Sequence, residues 1–231
     1  MREIVLDTET TGLDPNAGDR IVEIGCLELI NRVATGATFQ CYVNPQRDMP
    51  AAAEAIHGLG AEFLSKHKIF AQIAASFLDF IAASPLVIHN AAFDLGFLNA
   101  ELARLDRAPL DETRVVDTLA LARRKFPGAQ AGLDALCRRF RIDNSDRDLH
   151  GALKDVRLLA DVYLELTGGR QPGLSLSPGV GADRTALMDD AGAVAPNAAA
   201  ARPPRSFRPS AEEEAAHAAF LDGLIKPIWR R

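Results

Sequence analysis

The sequence has few cysteines, no long apolar run and no excess of positive charge. Its three cysteines, Cys26, Cys41 and Cys137, are odd in number and form no C-x-x-C pair, which is unlike a secreted disulfide framework. No apolar stretch reaches the length of a membrane span, and the N-terminal residues are charged, unlike the apolar core of a signal peptide. We therefore expect a cytoplasmic protein without membrane contact, whose cysteines are core residues.

Positive charge is too scarce for a broad surface that wraps nucleic acid. The net charge is −5, with 26 Lys and Arg against 31 Asp and Glu. The whole imbalance precedes residue 171, because seven basic and seven acidic residues follow that point. Any contact with nucleic acid must therefore be local or assisted by bound cations.

The sequence does contain alternating strand and helix patterns up to about residue 168. Alternating or continuous apolar residues predict five strands, near 3–8, 20–29, 36–43, 85–90 and 114–118. Helical periodicity predicts five helices, over 70–83, 93–105, 119–125, 132–140 and 151–166. The first three strands are close enough for an antiparallel meander, and crossover helices separate the later ones. We expect an α/β domain with a mixed five-stranded sheet flanked by helices.

A tail of different composition follows this domain. Gly, Pro, Ala and Ser dominate residues 168–210, which predicts a flexible segment. Ser210 then starts a capped helix pattern, and Pro227 would end or kink it. The apolar residues at helical spacing there are Phe220, Leu221, Leu224, Ile225 and Ile228. So short an amphipathic segment is marginal in water, so we expect it to fold against a partner.

The segment VLDTETTGL, residues 5–13, ends a strand with two acids on one face, Asp7 and Glu9. On a helical wheel of residues 93–105, Asp94 falls on the apolar face in the first turn, and Glu101 shares that face. Asp155 points the same way as the apolar residues of 151–166. Each acid alone has a structural explanation: a polar strand end, a helix N-terminal acid, or a buried salt-bridge partner.

Together these four carboxylates favour a metal site. Like charges that share a buried site repel and lose solvation, and hard oxygen ligands without thiolates suit Mg²⁺ or Mn²⁺. Two such cations about 4 Å apart are the usual arrangement for phosphodiester chemistry. His150, at a loop-to-helix junction five residues before Asp155, could take a proton from water, although a solvated loop histidine is the simpler alternative.

The motifs DTETTG at 7–12, HNAAFD at 89–94 and HGALKD at 150–155 resemble the three motifs of the DEDDh exonuclease family. The resemblance implies a ribonuclease H-like fold and hydrolysis of the last phosphodiester at a 3′ end, with release of a nucleoside monophosphate. It also implies two bound divalent cations and His150 as general base. The residues that it makes catalytic are Asp7, Glu9, Asp94, His150 and Asp155, and the metal ligands among them are Asp7, Glu9, Asp94 and Asp155.

The same resemblance implies a looser set of contacts to the terminal nucleotide of a DNA 3′ end, single-stranded or frayed. These substrate-binding positions are Thr10, Gly12, Leu13, His57, Asn90 and Phe93. Simpler explanations exist for three of them: Gly12 as a turn glycine, His57 as a solvated loop histidine and Phe93 as a core residue. We expect a solvated loop at Asp143, Asp146 and Asp148.

The tail resembles segments of bacterial proofreading subunits. QPGLSL at 171–176 is similar to short peptides that insert into a sliding clamp, although an ordinary linker is the alternative. The last twenty residues are similar to a segment that binds the alpha subunit of DNA polymerase III. The implied clamp contacts are Gln171, Leu174 and Leu176, and the implied polymerase contacts are Phe220, Leu224, Ile228 and Trp229. A small accessory subunit is a further implied partner.

These resemblances divide the chain into four parts: an exonuclease domain (1–168), a clamp-binding peptide (169–177), a flexible linker (178–209) and a polymerase-binding segment (210–231). They favour a DNA-proofreading exonuclease. Two rivals remain at this point. One is an RNA-trimming exonuclease of the ribonuclease T or oligoribonuclease type, which we expect to lack this tail. The other is a non-catalytic scaffold, against which the five intact catalytic positions argue.

Overall fold

The computed structural model describes residues 1–145, 150–169 and 209–223. Its strands are β1 (Arg2–Thr10), β2 (Ile21–Ile30), β3 (Val33–Tyr42), β4 (Leu86–Ile88) and β5 (Val115–Asp117). They form one five-stranded sheet of order β3-β2-β1-β4-β5. The first three strands are antiparallel neighbours, and β4 and β5 run parallel to β1. The predicted meander and mixed sheet are confirmed.

Eight α-helices accompany the sheet in the described ranges. They are α1 (Ala51–His57), α2 (Ala61–Leu64), α3 (Phe70–Ile81), α4 (Ala91–Ala103), α5 (Thr118–Lys125), α6 (Leu133–Phe140), α7 (Ala152–Leu166) and α8 (Ala211–Asp222). Short 3₁₀ turns lie at Pro15–Ala17 and Glu112–Arg114. The five helices predicted before residue 168 are confirmed, whereas α1 and α2 were not predicted. With seven and four residues, these two are too short to show a helical period.

The central strands β1, β2 and β4 are buried on both faces because their side chains alternate between two helical layers, whereas the edge strand β3 is largely exposed. Ile4 and Leu6 of β1 belong to a core cluster with Phe77 of α3 and Leu98 of α4. Val5, on the other face of β1, packs with residues of α7. The central strand therefore has α3 and α4 on one face and α7 on the other, which is the arrangement expected of an α/β sandwich.

The three cysteines belong to these apolar clusters, as predicted. Cys26 and Cys137 are buried, Cys41 is half-buried against the core, and none of the three forms a disulfide. Burial raises the pKa of the Cys26 thiol far above its usual value. Within the described ranges, no helix has the length and apolar character needed to cross a bilayer.

Helix α7 begins in close contact with β2, and a glycine makes this contact possible. A Cβ atom at Gly25 would lie 2.5 Å from the carbonyl carbon of Ala152, the first residue of α7. No side chain tolerates that distance to rigid backbone. Gly25 is also the register partner of Asp7. The sequence thus places the start of α7 directly over the strand pair that carries the first acidic motif.

The chain divides into two compact units, the first of which holds the sheet and α1–α7. In the second unit, the structure describes one helix, α8. Ser210 caps it as predicted: its Oγ accepts from the backbone N–H of Glu213, whose carboxylate accepts from the Ser210 N–H. Phe220 is exposed in α8. The predicted contacts Gln171, Leu174, Leu176, Leu224, Ile228 and Trp229 lie outside the described residues.

We expect Gly25→Ala to lower the free energy of unfolding by about 1–3 kcal/mol, because the added methyl group meets backbone. Gly96→Ala is the matched control. It lies inside α4, where a Cβ would meet only Pro15 Cγ at an ordinary 3.9 Å. Alanine is there the better helix former, so stability should rise by about 0.5–1 kcal/mol. Urea unfolding measures both changes. Equal effects of the two substitutions would contradict the close contact at Gly25.

Candidate active site

Strand β1 presents Asp7 and Glu9 on the face that α7 covers. They occupy alternate positions after Val5, which packs on α7. Their register partners on β2 are Gly25 and Glu23. Glu9 is 9% exposed and Asp7 is half-buried. The period-two argument from the sequence is therefore confirmed, since both carboxylates leave the strand on the same side.

Helix α4 supplies Asp94 from its first turn. Asp94 is 3% exposed, and its Oδ1 accepts hydrogen bonds from the backbone N–H (2.9 Å) and hydroxyl (2.7 Å) of Thr8. Burial raises the pKa of Asp94 to about 7, and the two hydrogen bonds from Thr8 offset part of that effect. The contact between Thr8 and Asp94 joins the start of α4 to the end of β1.

Helix α7 supplies Asp155, also from its first turn, and His150 lies just before the helix. Asp155 is 4% exposed. The His150 Nδ1 lies 3.5 Å from Asp155 Oδ2, and the imidazole is about half exposed. The His150 backbone N–H donates to the carbonyl of Ile56 (3.1 Å), so α1 holds the loop that carries this histidine. Glu9, His150 and Asp155 each bring one ligand atom within 4.8 Å of the others.

All five of these side chains line one cavity of about 600 Å³. The cavity is lined by residues that the motifs predicted and by residues that they did not. The predicted lining residues are Asp7, Glu9, Phe93, Asp94, His150 and Asp155. The unpredicted ones with polar side chains are Thr8, His89, Gln130, Asp134 and Arg138. Residues 130–138 carry no motif, and only the fold brings the start of α6 beside the carboxylates.

The donor set of this cavity suits a hard divalent cation. Five carboxylates line it, and Arg138 is the one Lys or Arg among the described lining residues. Two histidines also line the cavity, His89 and His150, and none of the described lining residues is a cysteine. A set dominated by carboxylate oxygens without thiolates is typical of Mg²⁺ and Mn²⁺ sites. A bound cation would also favour the ionised form of Asp94, which burial alone disfavours. The arrangement can thus hold cations next to a histidine that is able to exchange protons with solvent.

Glu101, which shares the apolar face of α4 with Asp94, has a different environment. It is 2% exposed and accepts two hydrogen bonds from Arg20, at 2.5 and 2.8 Å, with Arg104 at 3.3 Å. It does not line the cavity. The salt-bridge explanation, one of those open for a buried acid, is therefore correct for Glu101.

Five of the six predicted substrate-binding residues do not line this cavity; they are Thr10, Gly12, Leu13, His57 and Asn90. The Thr10 hydroxyl donates a hydrogen bond to the carbonyl of Gly12 (2.6 Å). Gly12 has no room for a side chain, because a Cβ atom there would lie 2.2 Å from the Asp19 carboxylate. Leu13 follows and is 84% exposed, which is unusual for a large apolar side chain. Asn90 is exposed and adopts a left-handed conformation (φ 67°) before α4. Phe93 does line the cavity and packs on Phe97 with ring centroids 5.0 Å apart.

His57 lies beside a second, smaller cavity of about 280 Å³, whose wall includes His150 and Gly151. It is the last residue of α1 and only 5% exposed, so the simpler explanation of a solvated loop histidine is wrong. The Leu59 backbone N–H donates to its Nδ1 (3.0 Å), so the neutral ring carries its proton on Nε2. Burial lowers the pKa of His57.

The predicted solvated loop is confirmed at Asp143. This residue is exposed, and its carboxylate accepts from the Ser145 N–H (3.0 Å). Asp146 and Asp148 lie outside the described residues.

Known proteins that are similar to this chain in sequence or in fold include exonucleases and DNA polymerase III epsilon subunits. Residues 4–163 match a family model described as Exonuclease. A DNA polymerase III subunit epsilon of Rickettsia felis (strain ATCC VR-1525 / URRWXCal2) is 48% identical over 229 residues, 98% of both chains. The DNA polymerase III subunit epsilon of Escherichia coli (strain K12) is 49% identical over 176 residues, 73% of this chain and 72% of that one.

A solved structure of low sequence identity shows the fold. It is the nuclease domain of 3′hExo, a DEDDh family member, bound to rAMP. The TM-score is 0.63 at 18% identity, covering 71% of this chain and 90% of that one. The predicted ribonuclease H-like fold class is confirmed.

Because Asp94 and Glu101 have opposite environments, we expect neutral substitutions of the two acids to change stability in opposite directions. The pKa of Asp94 rises from 3.8 in the unfolded chain to about 7 in the folded protein. Between these two pH values the folded protein keeps a proton that the unfolded chain has lost. The free energy of unfolding therefore falls as the pH rises from about 4 to about 7, and Asp94 destabilises the fold most above that range. We expect Asp94→Asn to raise the free energy of unfolding by about 1–2 kcal/mol at pH 8, and by less at pH 5.

Glu101→Gln should instead lower the free energy of unfolding by about 2–4 kcal/mol at both pH values, because it leaves Arg20 without its charged partner. Thermal unfolding of both variants in EDTA measures the difference. A loss of stability in Asp94→Asn as large as in Glu101→Gln would contradict the distinction between the two acids.

Proposed function

Because the chain belongs to the exonuclease family and, within it, to the DNA polymerase III epsilon subunits, we propose that it proofreads newly made DNA by removing nucleotides from the 3′ end. The observation that carries the proposal is the convergence of four motif carboxylates and His150 on one cavity. The RNA-trimming alternative is not favoured, because the relatives with 48–49% identity are DNA polymerase subunits.

The four acids Asp7, Glu9, Asp94 and Asp155 would hold two divalent cations, Mg²⁺ or Mn²⁺. When bound, such a pair supplies charge to the attacking and leaving oxygens of the phosphodiester. The protein contributes the placement of the carboxylates: two from β1, one from α4 and one from α7, all less than half exposed. Placement on a strand and on helix starts limits their movement, which is what a reaction geometry requires.

His150 is proposed as the general base. Its imidazole is about half exposed, so it can pass a proton to solvent, and Asp155 Oδ2 lies 3.5 Å from its Nδ1. A carboxylate at this position orients the ring and stabilises the imidazolium that forms when Nε2 takes a proton from water. The hydrogen bond from the His150 N–H to Ile56 keeps the loop in place during that transfer.

Selection of mismatched ends does not require a residue that reads bases. The cavity of about 600 Å³ falls in the size range of sites for single small molecules, which suits one terminal nucleotide. An unpaired 3′ end costs less to separate from its template than a paired one, so it reaches the cavity more often. Phe93, half-buried in the wall, offers an aromatic face for stacking a base.

The tail is proposed to tether this domain to a replicating polymerase. Residues 210–231 would bind the polymerase III alpha subunit, and residues 169–177 would bind the sliding clamp. Residues 178–209 would link these two segments. A small accessory subunit is a further candidate partner. The relative from Rickettsia felis supports a shared tail, because its similarity covers 98% of both chains. A tether raises the local concentration of the nuclease without a tight contact of its own. Such a role would place the protein in the bacterial cytoplasm.

We expect hydrolysis of a DNA primer with a mispaired 3′ end to be faster than that of a matched primer, by about tenfold. The reaction should require Mg²⁺ or Mn²⁺ and stop in EDTA. Asp7→Ala should lower the rate at least about 10³-fold, because it removes a ligand at the reacting phosphate. Gel analysis of 5′-labelled primers measures all three effects. A strong preference for short RNA, or full activity of Asp7→Ala in Mg²⁺, would overturn the proposal.

Deletion of residues 211–231 should separate catalysis from tethering. The nuclease should digest free oligonucleotides within about twofold of the full chain, because the cavity lies in the first unit. Co-purification with the alpha subunit should be lost. A Phe220→Ala variant of the full chain tests the exposed aromatic side chain of α8 separately. Retained binding to alpha, or loss of both properties, would contradict a modular tail.

A further inference from the structure

Glu23 is a buried carboxylate next to the site that the proposed mechanism does not use. It is 2% exposed and lies on β2 directly opposite Glu9 in the strand register. Two acids that face each other across a strand pair repel. A buried carboxylate in this position therefore needs hydrogen-bond donors, and its donors indicate what it does.

Both oxygens of Glu23 have such donors. Oε2 accepts from the backbone N–H of Ala152 (3.1 Å), and Oε1 accepts from Gln40 Nε2 (2.8 Å). Ala152 is the first residue of α7, and the preceding residue, Gly151, offers no side-chain cap. The N–H groups of a first helical turn lack partners within the helix and carry partial positive charge. Glu23 thus caps α7 from the neighbouring strand.

The capped residue lies between two members of the candidate active site. His150 precedes Ala152 by two residues, and Asp155 follows it by three. Gly25, two residues along β2 from Glu23, permits the helix start to approach the strand. The side of β2 that carries Glu23 and Gly25 is the side on which β1 carries Asp7 and Glu9. The cap therefore lies where it can set the distance from the acids of β1 to His150 and Asp155.

We propose that Glu23 is a positioning residue for the exonuclease reaction. It fixes the first turn of α7, so that His150 and Asp155 keep their place relative to Asp7 and Glu9. With both oxygens occupied by Ala152 and Gln40, it acts on the reaction through the backbone and does not touch the reacting phosphate. This inference rests on the proposed function, since it names what arranges that site.

Glu3 offers a matched control. It is also a buried carboxylate, 6% exposed, and it also joins the sheet to α7, through a 2.7 Å hydrogen bond from the Tyr163 hydroxyl. Tyr163 follows Asp155 by two turns of the helix, and neither Glu3 nor Tyr163 lines the cavity. Removing Glu3 should therefore loosen α7 at a point away from the site.

The test compares Glu23→Ala, Glu23→Asp and Glu23→Gln with Glu3→Ala. Glu23→Ala and Glu23→Asp should lower kcat about 10- to 100-fold with KM within about threefold, because a small misplacement of catalytic groups is costly. The shorter Asp keeps the charge and the fold but withdraws the oxygen from Ala152. Glu23→Gln, which can still accept from Ala152, should retain kcat within about fivefold. Glu3→Ala should lower the melting temperature but leave kcat within about twofold.

Amide hydrogen exchange measured by NMR gives a readout that does not depend on activity. The Ala152 amide should exchange at least about tenfold faster in Glu23→Ala and Glu23→Asp than in wild type, and at the wild-type rate in Glu3→Ala. Equal losses of kcat in the Glu23 and Glu3 variants, or unchanged exchange at Ala152, would overturn the positioning role. Absence of exonuclease activity in the wild-type protein would instead refute the proposed function, while the exchange data would still test the cap.

Discussion

Holding several carboxylates together in the interior of a folded domain is the main energetic demand on this protein. One cavity is lined by four acids, Asp7, Glu9, Asp94 and Asp155. Among the described lining residues, Arg138 is the one Lys or Arg. Removing such groups from water costs several kcal/mol each when no opposite charge is near. The raised pKa of Asp94 expresses this cost. Burial makes ionised Asp94 unfavourable, and a divalent cation bound among these acids would offset that cost.

The fold meets this demand by holding the acids on three rigid elements: Asp7 and Glu9 on β1, Asp94 on α4 and Asp155 on α7. β1 is the central strand, with α4 on one face and α7 on the other. Specific polar contacts fix both helix starts near the strand end: Thr8 donates to Asp94, and Glu23 accepts from Ala152. The apolar core supplies the stability against which the acids are held. These contacts bring the four acids, which are distant in sequence, to one cavity.

Much of this could be predicted from the sequence, because the signals were local. A period of two placed Asp7 and Glu9 together, and helical wheels turned Asp94 and Asp155 toward the core. Tertiary contacts decided the rest. Glu101 shares a helix face with Asp94, and only the ion pair with Arg20, 81 residues away, shows that it is structural. The cap from Glu23 to Ala152 spans 129 residues and leaves no local pattern. Helices α1 and α2 were missed because they are too short to show a period.

If these carboxylates form a divalent-cation site, calorimetric titration of the DNA-free protein with Mn²⁺ should detect the bound ions. We expect saturable binding of two ions per chain, and loss of at least one of them in Asp155→Asn. Binding should be unchanged in Glu101→Gln, because Glu101 is as buried as Asp155 but is paired with Arg20 and does not line the cavity. No saturable binding to the wild-type chain, or equal binding by wild type and Asp155→Asn, would contradict it.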